Sequence, residues 1–344
     1  MAGVENTYFM DALHLFAETQ WIYNTPVTDL LTGGLLDFFP EEWLCALQLL
    51  ENKELNDFVV KKTTKTQWAE TLKLFVEKCK CTDRLPTINT VLSTTLPKNF
   101  QIGLSHKKQH EIIHLAHLVH AQCESQNIKT IVDLGAGLGY VCQLLYHLYR
   151  YQVLGLEKSQ VNINNARNRQ AKSDVCLIGL HACGDLSTYA SKIFQDMKAA
   201  RVFIMIPCCY HKLSISKSIK ISARSEKQYF DNFPLSSCLK SVINNSNFDI
   251  GSFLRQPFLR LACQEPADRW YNMSIEAHNE HSFHVLSRAV LQLYAVKNGY
   301  LLKKRTQKAT RRSQCLNFET YVKDSLKRYS LQPEKGEKLE EQGI

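Results

Sequence analysis

Nowhere in the 344 residues does an apolar run approach the roughly 20 residues needed to cross a bilayer. The opening MAGVENTYFM also lacks the basic and apolar regions of a secretory leader. The 12 cysteines are too dilute for a disulfide scaffold, and no two stand in the Cys-x-x-Cys spacing that advertises a zinc site. These absences point to a reducing compartment, cytosol or nucleus. What is present is 44% hydrophobic content, enough for a sizeable core at a length that suggests about two domains. A formal charge of +9 favours an anionic partner such as nucleic acid, although a basic surface also serves solubility.

Three zones follow one another. Residues 1–100 form a helical N-terminal region. Pro40 with Glu41 and Glu42 fits a helix start, Trp43, Leu44, Leu47 and Leu50 make an apolar stripe, and Trp68, Leu72, Phe75, Val76 and Cys79 make a second. Their periodicity marks them as core. Residues 101–300 hold the central domain, entered through a helix over Ser105 to Gln126 that carries Ile112, Ile113, Leu115, Ala116, Leu118 and Val119. Residues 301–344 hold a basic segment, with Lys303, Lys304, Arg305, Lys308, Arg311 and Arg312, and a tail from Gln332 to Ile344 whose composition predicts disorder. The basic cluster admits three readings: phosphate contacts, a nuclear localisation signal, or a solvated helix face.

The most informative run is Val132-Asp133-Leu134-Gly135-Ala136-Gly137-Leu138-Gly139-Tyr140. Thr130 to Leu134 reads as a buried parallel strand, and Leu138 to Arg150 as a helix with Val141, Leu144, Leu145 and Leu148 on one face. Glycine lets the backbone of such a turn pass close to a ligand, and the helix start offers free N-H groups. A dinucleotide fingerprint needs glycine where Tyr140 stands. An acid two residues before Gly-x-Gly-x-Gly instead resembles S-adenosylmethionine sites. Gln152 to Leu156 is a second strand closed by Glu157, whose carboxylate could accept both ribose hydroxyls of a bound nucleoside. Asn162 to Lys172 reads as the next helix.

Two more apolar strands end in polar runs. Val175 to Leu180 ends in His181-Ala182-Cys183-Gly184-Asp185-Leu186-Ser187, and Arg201 to Ile206 ends in Pro207-Cys208-Cys209-Tyr210-His211-Lys212. Strand C-terminal ends are where open α/β sheets bind ligands. Ser187 fits as cap of a helix carrying Ala190, Ile193, Phe194 and Met197. Cys183, Cys208, Cys209 and His211 could converge at the sheet edge. With adjacent cysteines and no paired spacing, buried thiols are the preferred reading, and no metal site is expected.

LGAGLG, GLHACGDLS and CCYHKL, with SHKKQHE before them and FLRLACQEPADRW behind, resemble the methyltransferase-like protein 25 family over residues 100–295. The resemblance implies an S-adenosylmethionine-dependent methyltransferase on an α/β, doubly wound Rossmann-like sheet. A similar pairing of cysteine motifs marks a tRNA 2′-O-methyltransferase family, which makes RNA the expected substrate by analogy. Asp133, Gly135, Gly137, Gly139 and Glu157 are the expected cofactor-binding residues. Asp185 or His181 would accept or orient a substrate proton, and Tyr210 would stack on a base.

Only residues 158–180 separate Glu157 from His181, room for about one helix and one strand. Either the sheet lacks its third strand and HACGDLS ends strand four, as the resemblance implies, or Val175 to Leu180 is strand three. In the second case Pro207-Cys208-Cys209-Tyr210 would stand where amino-methyltransferases place a Pro-Pro-Tyr-like run. Motif order favours the first. A non-catalytic RNA-binding or adaptor protein on a shortened fold is the competing expectation.

Overall fold

A computed structural model of the chain describes residues 2–83, 96, 101, 104–156, 174–221, 226–261, 263, 270–305 and 317–333. It divides into two compact units, one formed by Met1–Arg84 with Gln264–Ile344, the other by Leu85–Cys263. The sequence boundaries near 100 and 300 are therefore not those of the compact units. The expected helix at 162–172, Glu157 and most of the C-terminal tail lie outside the described residues. No described helix is long and apolar enough to cross a membrane.

The Leu85–Cys263 unit is built on four parallel strands, β1 (Thr130–Leu134), β2 (Gln152–Leu156), β3 (Val175–Leu180) and β4 (Ala200–Ile206), in the order β2-β1-β3-β4. Strand pleating sends neighbouring side chains to opposite faces. Ile131, Cys176, Ile178 and Val202 thus meet Ile112, Leu115 and Val119 of the His106–Ser125 helix and Val141, Leu144 and Leu145 of the Tyr140–Tyr149 helix. Val132, Val175, Leu177 and Ala200 meet Phe194 and Met197 on the other face, around the Asp185–Asp196 helix. Each fully buried Leu or Ile contributes about 1.5–3 kcal/mol relative to exposure. Helices on both faces explain why the strands read as continuous apolar runs.

Strand order decides between the two registers. β3 pairs with β1 on the side away from β2, so the winding direction reverses between β1 and β3. A third strand would have extended the sheet beyond β2, and among the described residues none pairs there. HACGDLS therefore follows the strand in the fourth position, and the fold is the doubly wound Rossmann-like type without a described third strand. A groove of about 880 Å³ runs along the outer edge of β4, two strands from β1, with Leu118, Gln122 and Gln126 on its far wall.

An antiparallel pair, Ile215–Lys220 with Glu226–Phe230, and short helices at Ser237–Asn244, Ile250–Phe253 and Gln256–Leu261 complete this unit. The other unit holds the helices Ala2–Glu18, Gln20–Tyr23, Glu41–Leu47, Asn52–Lys61 and Glu70–Thr82. Trp43, Trp68 and Leu72 pack there with Trp21 and Phe75, as the two stripes predict. It also holds the Ile275–Lys297 helix and an antiparallel pair, Tyr300–Lys304 with Tyr329–Pro333. Lys303 and Lys304 thus lie on a strand, which removes the helix-face reading for them.

Candidate active site at the sheet switch point

Gly135, Gly137 and Gly139 all take left-handed backbone angles, with φ of +85°, +55° and +74°. No other residue type adopts such a succession cheaply, so the spacing is a backbone requirement. The N-H groups of Gly135 and Ala136 both donate to the Leu156 carbonyl, at 2.8 and 3.2 Å, which ties the turn to the end of β2. Gly155 permits this: a Cβ there would stand 3.0 Å from that of Ala136. A Cβ on Gly137 would meet no atom of the described residues within 4 Å. The turn is thus laid flat against β2 at one end, and among the described residues nothing crowds the Cβ position at its middle. The Tyr140–Tyr149 helix starts at Gly139 without a side-chain cap.

Asp133 is 2% exposed, beneath the turn. Cys142, in the first turn of the helix, donates its thiol to Asp133 Oδ2 at 3.3 Å. Burial, and then the Asp133 charge, push the Cys142 thiol up to about 12, so it remains a protonated donor. Asp133 therefore secures the strand, turn and helix from below. Glu157, the expected ribose ligand, lies outside the described residues, directly after the last residue of β2.

The second turn begins with His181, whose φ of +62° is left-handed. Its N-H donates to the Ile206 carbonyl at 2.9 Å, and its Nε2 lies 3.1 Å from Oε2 of Glu111 on the His106–Ser125 helix. Glu111 was no site candidate from sequence; the SHKKQHE run that carries it was the available signal. Gly184 follows with φ of +60°, and a Cβ there would stand 2.7 Å from the Lys212 carbonyl oxygen. Leu186 Cδ2 would be 3.4 Å from a Cβ on Gly135, so the Asp185–Asp196 helix starts beside the glycine turn. The helix cap is Gly184, not Ser187. Ser187 sits inside the first turn and donates to the Gly184 carbonyl at 3.2 Å.

The Asp185 carboxylate accepts 2.9 Å hydrogen bonds from the Ser214 N-H and from Asn232 Nδ2, and a further bond from the Ser214 hydroxyl. Burial opposes its ionised form, but these donors outweigh it and hold the pKa below the usual carboxylate value. A carboxylate so occupied is a tether between the helix start and residues 214 and 232, and a poor proton acceptor. Tyr210 opens a short 3-10 turn, Tyr210–Lys212, and is 38% exposed. Burial, followed by the nearby cysteine thiols, raises its pKa, so the phenol stays neutral.

The same two turns gather thiols. Cys183 Sγ lies 3.0 Å from Cys208 Sγ, which is 3.5 Å from Cys209 Sγ, and all three lie within 4.8 Å of one another. They are half-buried rather than core. No described cysteine is in a disulfide, and His211 Nδ1 lies 3.5 Å from Cys263 Sγ in the same unit. Burial lowers the His211 pKa.

Comparison with known proteins finds similarity in this region. A family model described as "Methyltransferase domain" matches residues 107–175 and 169–216. Probable methyltransferase-like protein 25 of Mus musculus is 30% identical over 97 residues, 28% of this chain and 16% of the relative. The Homo sapiens protein of the same name is 31% identical over 94 residues, 27% of this chain and 16% of the relative. The match therefore spans about one-sixth of the length of these relatives. No solved structure matches. The segment that carries Glu111, the glycine turn, His181 and the three thiols lies within the match to the methyltransferase domain.

Proposed function

We propose that this chain is an S-adenosylmethionine-dependent methyltransferase acting on RNA. The observation that carries the reading is the glycine turn at the reversal between β1 and β3, where three glycines take left-handed angles and a Cβ on Gly137 would meet no atom of the described residues within 4 Å. Such a reversal is where open α/β sheets bind their ligands. When bound, the cofactor supplies a sulfonium-activated methyl group. Gly135, Gly137 and Gly139 admit it by close backbone approach, and Asp133 holds the turn rigid from below. Glu157, at the end of β2, is assigned the ribose hydroxyls. Glu111 accepts from His181 Nε2-H, which fixes the tautomer with the lone pair on Nδ1, ready to take a proton from a substrate hydroxyl or amine. Asp185 positions the helix start, and the neutral Tyr210 ring offers a stacking face to a base. The net charge of +9 supports an anionic substrate.

The short span of residues 158–180 between Glu157 and His181, room for about one helix and one strand, favours one competing reading, a non-catalytic RNA-binding or adaptor protein on a shortened methyltransferase fold. Calorimetric titration of the full chain with S-adenosylmethionine separates the two. The enzyme reading expects saturable binding that disappears in Gly137→Val, and folded wild-type protein without binding overturns it. Transfer of labelled methyl groups from the cofactor to total RNA tests the substrate.

A further inference from the structure

Among the described residues, Cys183, Cys208 and Cys209 are the cluster of three or more potential ligands whose donor atoms meet at one point. Nothing in the proposed methyl transfer uses them. They differ from Cys123 and Cys176, which are buried in the sheet core as small apolar side chains, because they stand half-exposed on the turns after β3 and β4.

We infer that these three thiols form a binding site for a thiophilic divalent cation of the zinc class. A Zn-S bond is about 2.3 Å, so two sulfurs on one tetrahedral ion stand about 3.8 Å apart. The separations of 3.0 and 3.5 Å are somewhat shorter than that value, and the third lies within 4.8 Å. Side-chain shifts of a few tenths of an ångström complete the set. The main chain pre-arranges it twice: the His181 N-H to Ile206 carbonyl bond joins the two turns at their base, and the close approach of Gly184 to the Lys212 carbonyl joins them further out. The thiols thus meet through backbone contacts rather than by side-chain flexibility, which lowers the entropy lost on binding. Three protein donors leave a fourth position for water, the arrangement of an open site rather than a closed structural one. Binding displaces the thiol protons, so affinity rises with pH. The inference does not depend on the cofactor reading, since the site stands on thiol geometry alone.

The test uses the full chain, reduced, stripped with a chelator and titrated with Zn2+ and in parallel with Co2+. One ion per chain is expected, with the sulfur-to-cobalt charge-transfer absorption of thiolate ligation. Alkylation with iodoacetamide, mapped by mass spectrometry, should find Cys183, Cys208 and Cys209 shielded by Zn2+ while Cys238 reacts equally with and without it. Cys183→Ser and Cys209→Ser should each weaken Zn2+ binding at least about tenfold. Equal alkylation of the three thiols with and without Zn2+ overturns the inference. So does a reduced protein that takes up no metal but yields a Cys183–Cys208 disulfide on exposure to air, which would make the cluster a redox pair. The alkylation map is read on the wild-type chain and stands even where a serine variant fails to fold.

Discussion

Gly137 and Gly184 share a left-handed backbone and differ in their surroundings. A Cβ at Gly137 meets no atom of the described residues within 4 Å, whereas one at Gly184 meets the Lys212 carbonyl at 2.7 Å. Gly137→Val should therefore cost about 1–2 kcal/mol of stability from backbone strain alone, while abolishing cofactor binding. Gly184→Ala should cost more than Gly137→Ala, because the main chain at Lys212 must move. Paired urea unfolding curves check the order, and equal losses would contradict the close approach at Gly184. Asp185 carries a pH signature. Its folded pKa lies below the ordinary value, so its stabilisation is complete above the usual carboxylate range and is lost as pH falls through the lowered folded value. The stability gap between wild type and Asp185→Asn should be full near about pH 6 and shrink toward about pH 3. A gap constant across that span would mean that Asp185 is not held ionised by Ser214 and Asn232. If Glu111 orients His181, Glu111→Gln should lower the methyl-transfer rate with little change in cofactor affinity. Equal rates would remove the pair from the mechanism.

At the scale of elements, the helix Tyr140–Tyr149 connects the cofactor turn to the core through Leu144, which is fully buried between helix and sheet. Leu144→Ala should destabilise the unit by about 2–5 kcal/mol, the usual cost of an unfilled core cavity, as read by denaturant unfolding. Loss of less than about 1 kcal/mol would mean that the helix is not packed as described. The β1, β2 and β3 bounds match the sequence reading because each is a short apolar run closed by glycine or polar residues, and nothing tertiary competes with that signal. The cap was misplaced at Ser187 because a serine near a helix start is a local signal. The chain instead turns at Gly184, where the approach of Lys212, 28 positions further on, leaves no room for a side chain. That contact is invisible to local patterning.

For the molecule as a whole, the charge excess becomes a statement about partners only through placement. Lys303 and Lys304 lie on the Tyr300–Lys304 strand and point to opposite faces, and the Arg305 N-H continues the ladder to the Arg328 carbonyl at 2.7 Å. Lys303 and Arg305 therefore share one face, about 6.6 Å apart. If that face contacts RNA phosphates, replacing both by alanine should weaken binding for all sequences alike and reduce the log-log salt slope by roughly 0.7 to 0.9 per lost contact. Lys304→Ala should change it less. Unchanged RNA binding with lost nuclear accumulation would assign the cluster to localisation, and no change in either would leave it a solvated surface.

The sequence by itself determined the four strands of the parallel sheet and the glycine turn, because periodicity, strand length and left-handed glycines are local properties. Motif order also pointed to HACGDLS following the strand in the fourth position. Only the tertiary structure decided that β3 lies on the far side of β1 from β2, which makes the turns after β1 and β3 neighbours. It alone brought Glu111 to His181 across 70 positions and Cys183 to Cys208 across 25. The physical reason is the same in each case. Strand pairing and helix docking satisfy backbone hydrogen bonds and bury apolar faces over the whole sheet, and the side chains that such packing carries together at its edge leave no periodic trace in the chain.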